Sequence, residues 1–175
     1  YATTSFSNEP TGVAINPVNG HIFFSDDNKK KVFEVNLGND GLYGTADDSI
    51  TSFSTPAFGS NDPEGLAYGV GKLFIADGVG TEVYTVDPGV NGVFDGISPT
   101  GDDQVTHFDT SGMTQPDPEG IAYNSDSGTL YIVSNNGGRT TNRITEISST
   151  GTEVNVIDIS FLNARSTAGL AYGKG

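Results

Sequence analysis

Two acidic, glycine-containing segments of the chain have a side-chain spacing that suits calcium. The first, residues 36–48, has oxygen-bearing side chains at positions 1, 5 and 12 of the loop and a glycine at position 6. In a 12-residue calcium loop that glycine permits the sharp turn, and the residue at position 7 offers its backbone carbonyl. Position 3 is Gly38 and position 12 is an aspartate rather than a glutamate, so we expect a weaker site. The ligands predicted for this first loop are Asn36, Asp40, Leu42, Asp47 and Asp48.

The second segment, residues 87–103, is related to the first. It keeps positions 1, 5, 6 and 9 of the pattern, but an insertion displaces its closing pair of aspartates along the sequence. The ligands predicted for this second loop are Asp87, Asn91, Asp95, Asp102 and Asp103. The corresponding third segment, residues 148–152, contains no acids. An alternative interpretation keeps all three segments as solvated hairpin loops, in which Asp and Gly serve turn geometry alone.

Glu64 and Glu119 are the candidates for catalysis, because each precedes a glycine at an equivalent place in a repeated phrase. The glycines of the four copies are Gly12, Gly65, Gly120 and Gly169, spaced 53, 55 and 49 residues apart. A carboxylate at such a place either binds a metal or caps the amides of a turn. The chain has no Gly-x-Ser-x-Gly or His-Glu-x-x-His motif. His21 and His107 are predicted to lie on the surface.

The elements that must position these residues are short strands. Each repeat contains four phrases that are rich in β-branched and aromatic residues and bounded by Gly, Pro, Asn or Asp, which predicts four antiparallel strands. A repeated four-stranded unit of about 50 residues is typical of a β-propeller blade. The sequence therefore predicts an all-β fold: a single partial propeller over residues 1–175, with blades near 9–55, 62–110 and 117–160. Partial strands are predicted at residues 1–7 and 168–172.

Three blades fall short of the 4–8 that usually close a propeller ring. The chain is therefore expected to be a fragment of a longer propeller, or to associate with further copies that complete the ring. The first interpretation is preferred, because a two-fold dimer would leave the two partial strands without partners.

The composition restricts the possible partners. The chain has 22 acidic residues and 8 basic ones, a formal net charge of -14, which argues against nucleic acid and anionic membranes as partners. No apolar run approaches the roughly 20 residues of a membrane span, so we expect no membrane insertion. The absence of cysteine excludes disulfides, cysteine-ligated metals and thiol catalysis. Carboxylate repulsion on this scale would be relieved by divalent cations, which we expect as partners.

The repeated phrases resemble known families. Asp-Pro-Glu-Gly-[Leu/Ile]-Ala-Tyr, followed by Leu-[Phe/Tyr]-Ile, resembles six-bladed propellers of the NHL, gluconolactonase-like and phytase-like types. The resemblance implies calcium near the channel, assisting hydrolysis of a lactone or phosphate ester. Only Glu64 and Glu119 match the glutamate position, while Asp26, Asp77 and Asn135 match a second position loosely. The tract Asp-Gly-x-x-Gly-Thr-x-Asp-Asp of the first loop resembles loops of secreted bacterial repeat proteins.

Two functions follow as expectations. The first is an extracellular or periplasmic bacterial propeller, stabilised by calcium, that acts as a binding or scaffold module. The second is a calcium-dependent hydrolase of lactones or phosphate esters. The missing general base and the incomplete ring favour the first.

Overall fold

The computed structural model describes residues 2–134, 142–164 and 166–173, and these form twelve β-strands in three four-stranded sheets. The strands are β1 (Pro10–Ile15), β2 (Ile22–Asp26), β3 (Lys31–Asn36), β4 (Ser49–Ser54), β5 (Pro63–Gly69), β6 (Lys72–Asp77), β7 (Glu82–Asp87), β8 (Gln104–Asp109), β9 (Pro118–Asn124), β10 (Thr129–Ser134), β11 (Arg143–Ser148) and β12 (Glu153–Asp158). In each sheet the strands pair antiparallel in chain order, β1–β4, β5–β8 and β9–β12. The predicted all-β architecture of four-stranded blades is confirmed.

The core lies between neighbouring blades. Strand β6 shows why, because its side chains alternate between two clusters: Leu73 and Ile75 pack toward the first blade, and Phe74 and Ala76 toward the third. This alternation is the two-residue period of a strand. A strand buried on both faces reads as a continuous apolar run, which is the pattern in the repeated phrases.

The glycine of the repeated phrase permits close approach between blades. A Cβ on Gly65 would lie 2.7 Å from the carbonyl oxygen of Glu119, and a Cβ on Gly120 would lie 2.6 Å from that of Ala168. The innermost strands of successive blades therefore pack backbone against backbone. Beside Gly169 nothing lies within 4 Å, because no further copy of the phrase follows among the described residues.

The two predicted partial strands are not formed. Residues 2–7 make a turn, in which the amides of Phe6 and Ser7 both donate to the carbonyl of Thr3 at 2.9 and 2.7 Å. Residues 168–172 have no strand assignment, although they lie beside β9. The reason is the same in both cases: a strand needs a neighbour to satisfy its backbone groups, and the described residues provide none.

The three sheets do not close into a ring among the described residues. Apolar side chains of the first blade are consequently exposed, as at Val13 and Ile15. In the described part of the chain, no helix has the length and apolar character needed to cross a membrane.

Candidate metal centre

The two predicted calcium loops share one hydrogen-bond framework. In the first loop (36–48), Asp47 Oδ2 accepts from the amides of residues 39–40 at 2.7 and 3.3 Å. In the second loop (87–103), Asp102 Oδ2 accepts from the amides of residues 90–91 at 2.9 and 3.3 Å. Asp102 therefore takes the place of Asp47, despite the insertion.

The neighbouring aspartates are equivalent as well. Asp48 Oδ2 accepts from the amide of Gly44 at 2.7 Å, and Asp103 Oδ2 accepts from the amide of Gly96 at 2.8 Å. The closing pair of the second loop is thus displaced in sequence but not in space. Four further predicted ligands also match as pairs, since each accepts from an amide two residues further on. These pairs are Asn36 with Asp87 and Asp40 with Asn91.

A third carboxylate distinguishes the second loop. Between the residues that match Leu42 and Gly44, the first loop has only Tyr43, whereas the second has Phe94 and Asp95. Asp95, Asp102 and Asp103 each bring a carboxylate oxygen within 4.8 Å of the other two. Among the described residues, the acids of the first loop form no such group.

Asp103 is the most unusual member of this group, which we call the loop-2 carboxylate site (Asp95, Asp102 and Asp103). Its side chain is 3 % exposed, and its Oδ1 has no hydrogen-bond partner. Oδ1 of Asp102 is likewise buried without a partner. Burial, with a contribution from the other two carboxylates, raises the pKa of Asp103 to about 6, even though the amides of Gly96 and Asp95 act in the opposite direction. The arrangement offers oxygen ligands to a hard cation such as calcium.

The acids of the first loop are engaged with the loop itself. Asp47 accepts from the Thr45 hydroxyl at 2.8 Å, and this bond, together with the amides of residues 39–40, lowers its pKa. The carbonyl of Leu42, the predicted position-7 ligand, accepts from the same hydroxyl at 3.2 Å. These contacts support the turn interpretation for the first loop, and calcium there stays a prediction.

A second group of acids surrounds Glu64 at the start of the innermost strands. Carboxylate oxygens of Asp27, Asp62 and Glu64 lie within 4.8 Å of one another. Burial first, and then repulsion from neighbouring acids, raises the pKa of Glu64 to about 7; the acids are Glu119, Asp62, Asp27 and Glu9. We call these five acids, together with Asp117, the rim acids.

The other predicted glutamate, Glu119, belongs to the same rim. A Cβ on Gly78 would lie 3.2 Å from Asp62 Oδ2, 3.3 Å from Asp117 Oδ1 and 3.6 Å from Glu119 Oε1. Burial and the adjacent acids raise the pKa of Glu119 and of Asp117. Sequence reasoning missed Asp27, Asp62 and Asp117. The phrase Asp-Pro-Glu was the available signal for the last two, because proline favours extended backbone at the residue before it, and side chains two residues apart in an extended segment lie on the same face.

Asp26 and Asp77, which match the family's second position, are structural. Asp77 accepts from the amides of residues 61–62 at 2.8 and 3.3 Å and from the amide of Gly80 at 2.6 Å. Asp26 accepts from Ser7 Oγ at 2.6 Å and from the amide of Lys29 at 2.7 Å. Both side chains are at most 1 % exposed. Asp26 joins the segment before β1 to the β2–β3 turn, and Asp77 joins the segment before β5 to the β6–β7 turn. Asn135 lies outside the described residues.

A polar cleft of about 240 Å³ opens between the first blade and the second loop. Its walls include His21, Glu34, Thr51 and Val93. His21 Nδ1 lies 2.6 Å from Glu34 Oε1, so the predicted surface histidine is half-buried and hydrogen-bonded to a carboxylate. The cleft is a concave polar surface that a small ligand or a peptide side chain could occupy.

Comparison with known proteins places the fold. No known sequence family matches the chain, and no curated protein matches its sequence. Solved structures do match: virginiamycin B lyase from Staphylococcus aureus has a TM-score of 0.57 and 22 % identity over 89 % of this chain and 43 % of that chain. A chain of a nidogen/laminin complex has a TM-score of 0.59 and 20 % identity over 85 % and 46 %. A protein from Lactobacillus plantarum has a TM-score of 0.55 and 15 % identity over 83 % and 40 %.

These proteins are β-propeller-like. The described residues form β-propeller blades. The chain spans less than half the length of the three solved chains. At these identities the likeness concerns the fold alone, and propellers carry many unrelated functions. The predicted resemblance to propellers is confirmed.

Proposed function

We propose that this chain is part of a calcium-stabilised β-propeller that acts as a binding or scaffold module outside the cytoplasm. The observation that carries the proposal is Asp103, a buried carboxylate with an unpartnered oxygen beside two further carboxylates. Buried charges are normally paired or bound to a metal, because an unpaired one is costly.

Calcium suits this site better than the alternatives. It takes 6–8 oxygen ligands in flexible geometry, and carboxylates are its preferred protein ligands. Zinc and copper favour nitrogen and sulfur, and the chain has no cysteine. Magnesium demands near-ideal octahedral geometry at shorter distances. A net charge of -14 further favours cation uptake over anion binding.

The binding role rests on the loops rather than on a catalytic group. Among the described residues, no serine or threonine hydroxyl lies hydrogen-bonded to a histidine: His21 pairs with Glu34 and His107 with Glu82. The polar cleft beside the second loop offers a concave surface for recognition. The loop-2 carboxylate site would hold one wall of that cleft in place.

Calorimetric titration of the chelator-treated full chain with calcium tests the proposal. We expect binding that is lost in Asp102→Asn and retained in Asp47→Asn, because only the first change removes a member of the carboxylate site. The two residues are matched, since each accepts from two loop amides. No calcium binding by the unmodified chain, or equal loss in both variants, would contradict the proposal.

A calcium-dependent hydrolase is the second candidate, and the rim acids favour it. Glu64, with a pKa raised to about 7, lies among carboxylates from neighbouring blades. A cation bound there would polarise a carbonyl or phosphoryl oxygen and activate water. Turnover of lactones or phosphate esters that Glu64→Gln abolishes without lowering the melting temperature would establish this function. Absence of turnover on both substrate classes with calcium present would exclude it.

A further inference from the structure

The second loop contributes an aromatic anchor to a boundary between blades. Phe94 is 5 % exposed and belongs to the core cluster between the first and second blades. Its ring meets Phe23 of β2 edge to face, with centroids 5.2 Å apart, and approaches Tyr68 of β5 at 6.4 Å. Phe94, a loop residue, therefore contacts a strand of the first blade and a strand of the second.

The residue after this anchor is part of the loop-2 carboxylate site. Asp95 follows Phe94 directly, and its Oδ1 accepts from the amide of Asp102 at 3.2 Å. The next residue, Gly96, runs against the first blade: a Cβ placed on it would lie 3.4 Å from Cβ of Phe53. Asp95 therefore lies in the chain directly between two residues, Phe94 and Gly96, that contact the first blade, although the carboxylate site belongs to a loop of the second blade.

We propose that a divalent cation bound by Asp95, Asp102 and Asp103 clamps the first blade to the second by fixing Phe94 between Phe23 and Tyr68. The inference rests on the proposed calcium site and assigns that site a task. Without a cation, the three carboxylates repel one another, which favours opening of the loop and withdrawal of the ring. When a cation binds, the loop closes, and its closure places the Phe94 ring between Phe23 and Tyr68.

The second blade boundary provides an internal control. There Phe74 and Tyr123 stack at 5.8 Å and 6°, as Phe23 and Tyr68 stack at 5.9 Å and 8° at the first boundary. The corresponding outer connection, residues 149–152, is a tight turn with no acid and no aromatic residue. Two boundaries with the same stacked pair therefore differ in whether a carboxylate loop covers them.

Hydrogen exchange of the full chain, with chelator and with calcium, tests the clamp. We expect calcium to slow exchange in β2 and β4 by about tenfold while β10 and β11 change by less than about twofold, because local openings are stabilised only where the ligand acts. A uniform change over all three blades, in a protein that calorimetry shows to bind calcium, overturns the clamp and leaves the proposed calcium site intact. Absence of binding overturns both.

Phe94→Leu, with Val90→Ala as the matched control, separates the anchor from the ligands. Both changes leave every carboxylate in place, and the side chain of Val90 is fully exposed in the same loop. Coupling is reciprocal, so Phe94→Leu should weaken calcium affinity by about fivefold and remove most of the exchange difference, while Val90→Ala does neither. Native circular dichroism with unchanged affinity and an unchanged exchange difference in Phe94→Leu overturns the proposal. If Phe94→Leu fails to fold, Phe94→Met, which keeps an apolar side chain of similar length, takes its place with the same expected results.

Discussion

Asp102 in the second outer loop accepts from two backbone amides at the loop positions equivalent to those that donate to Asp47 in the first, at 2.9 and 3.3 Å against 2.7 and 3.3 Å. The two residues lie in loops of different length, so the extra residues of the second loop are accommodated without moving this aspartate. One of the extra residues, Asp95, supplies the third carboxylate. The framework is therefore shared, whereas the cation site is confined to the loop with the insertion.

Asp95→Asn should have opposite effects with and without calcium. In chelator the change removes one of three mutually repelling charges, so the melting temperature should rise by a few degrees. In calcium it removes a ligand, so the rise that calcium produces by binding the folded state should shrink. Thermal melts in both conditions measure this, with exposed Asp40→Asn as the control. A lower melting temperature in chelator would contradict the repulsion argument.

The calcium-free protein should lose stability as pH rises from about 4 to 7. The pKa of Asp103 is raised to about 6 and that of Glu64 to about 7, so the folded state holds protons that the unfolded chain releases at lower pH. Stability from this source is complete below the unfolded values and is lost as pH passes the folded ones. The lowered pKa of Asp26 has the opposite effect on stability, which it makes fall as the pH drops, but this effect is confined to pH values below its ordinary pKa of 3.8.

Urea midpoints measured in chelator between pH 4.5 and 7.5 test this dependence. Asp103→Asn should flatten the profile below pH 6, and Glu64→Gln should flatten it toward pH 7. A midpoint that rises across the interval in the unmodified chain would show that other groups dominate.

Gly65→Ala should destabilise the fold by about 1–3 kcal/mol, the range of overpacked cores. The added Cβ would lie 2.7 Å from the Glu119 carbonyl oxygen, and backbone cannot give way as a side chain can. Gly169→Ala is the matched control, because it occupies the same place in the repeated phrase with nothing within 4 Å. Its effect should stay within about 0.5 kcal/mol. Denaturant unfolding of both variants measures the change in the free energy of unfolding. Equal destabilisation by Gly65→Ala and Gly169→Ala would refute the close-approach argument.

Asp77→Ala should destabilise the second blade by about 2 kcal/mol or more without affecting calcium binding. The substitution leaves three amides, of residues 61, 62 and 80, without their buried acceptor. Asp40→Ala, which removes one bond at an exposed turn, should cost much less. The measurements are urea unfolding and calorimetry. Loss of calcium binding in Asp77→Ala with the fold retained would place Asp77 in a metal site.

The strands of each repeat could be predicted from the sequence because each phrase has a local pattern typical of a strand or a turn. Leu73–Phe74–Ile75–Ala76 is a continuous apolar run, as expected of a strand buried on both faces, and Asn19–Gly20 marks a turn. Strand order and blade architecture followed from these local patterns. The strands predicted at residues 1–7 and 168–172 had the same local pattern, but the described residues 2–7 and 168–172 form no strand, since pairing requires a neighbour that local sequence does not specify.

The candidate sites were likewise determined partly by local sequence and partly by tertiary structure. The sequence by itself determined which loops carry the acids and which glycines recur. Tertiary structure decided that Asp95, Asp102 and Asp103 converge while Asp40, Asp47 and Asp48 do not, and that Asp27 and Asp62 join Glu64. Convergence depends on how a loop folds back and on which blade lies beside it. Burial of Asp103, which makes its unpartnered oxygen costly, likewise exists only in the folded loop and is not specified by the local sequence.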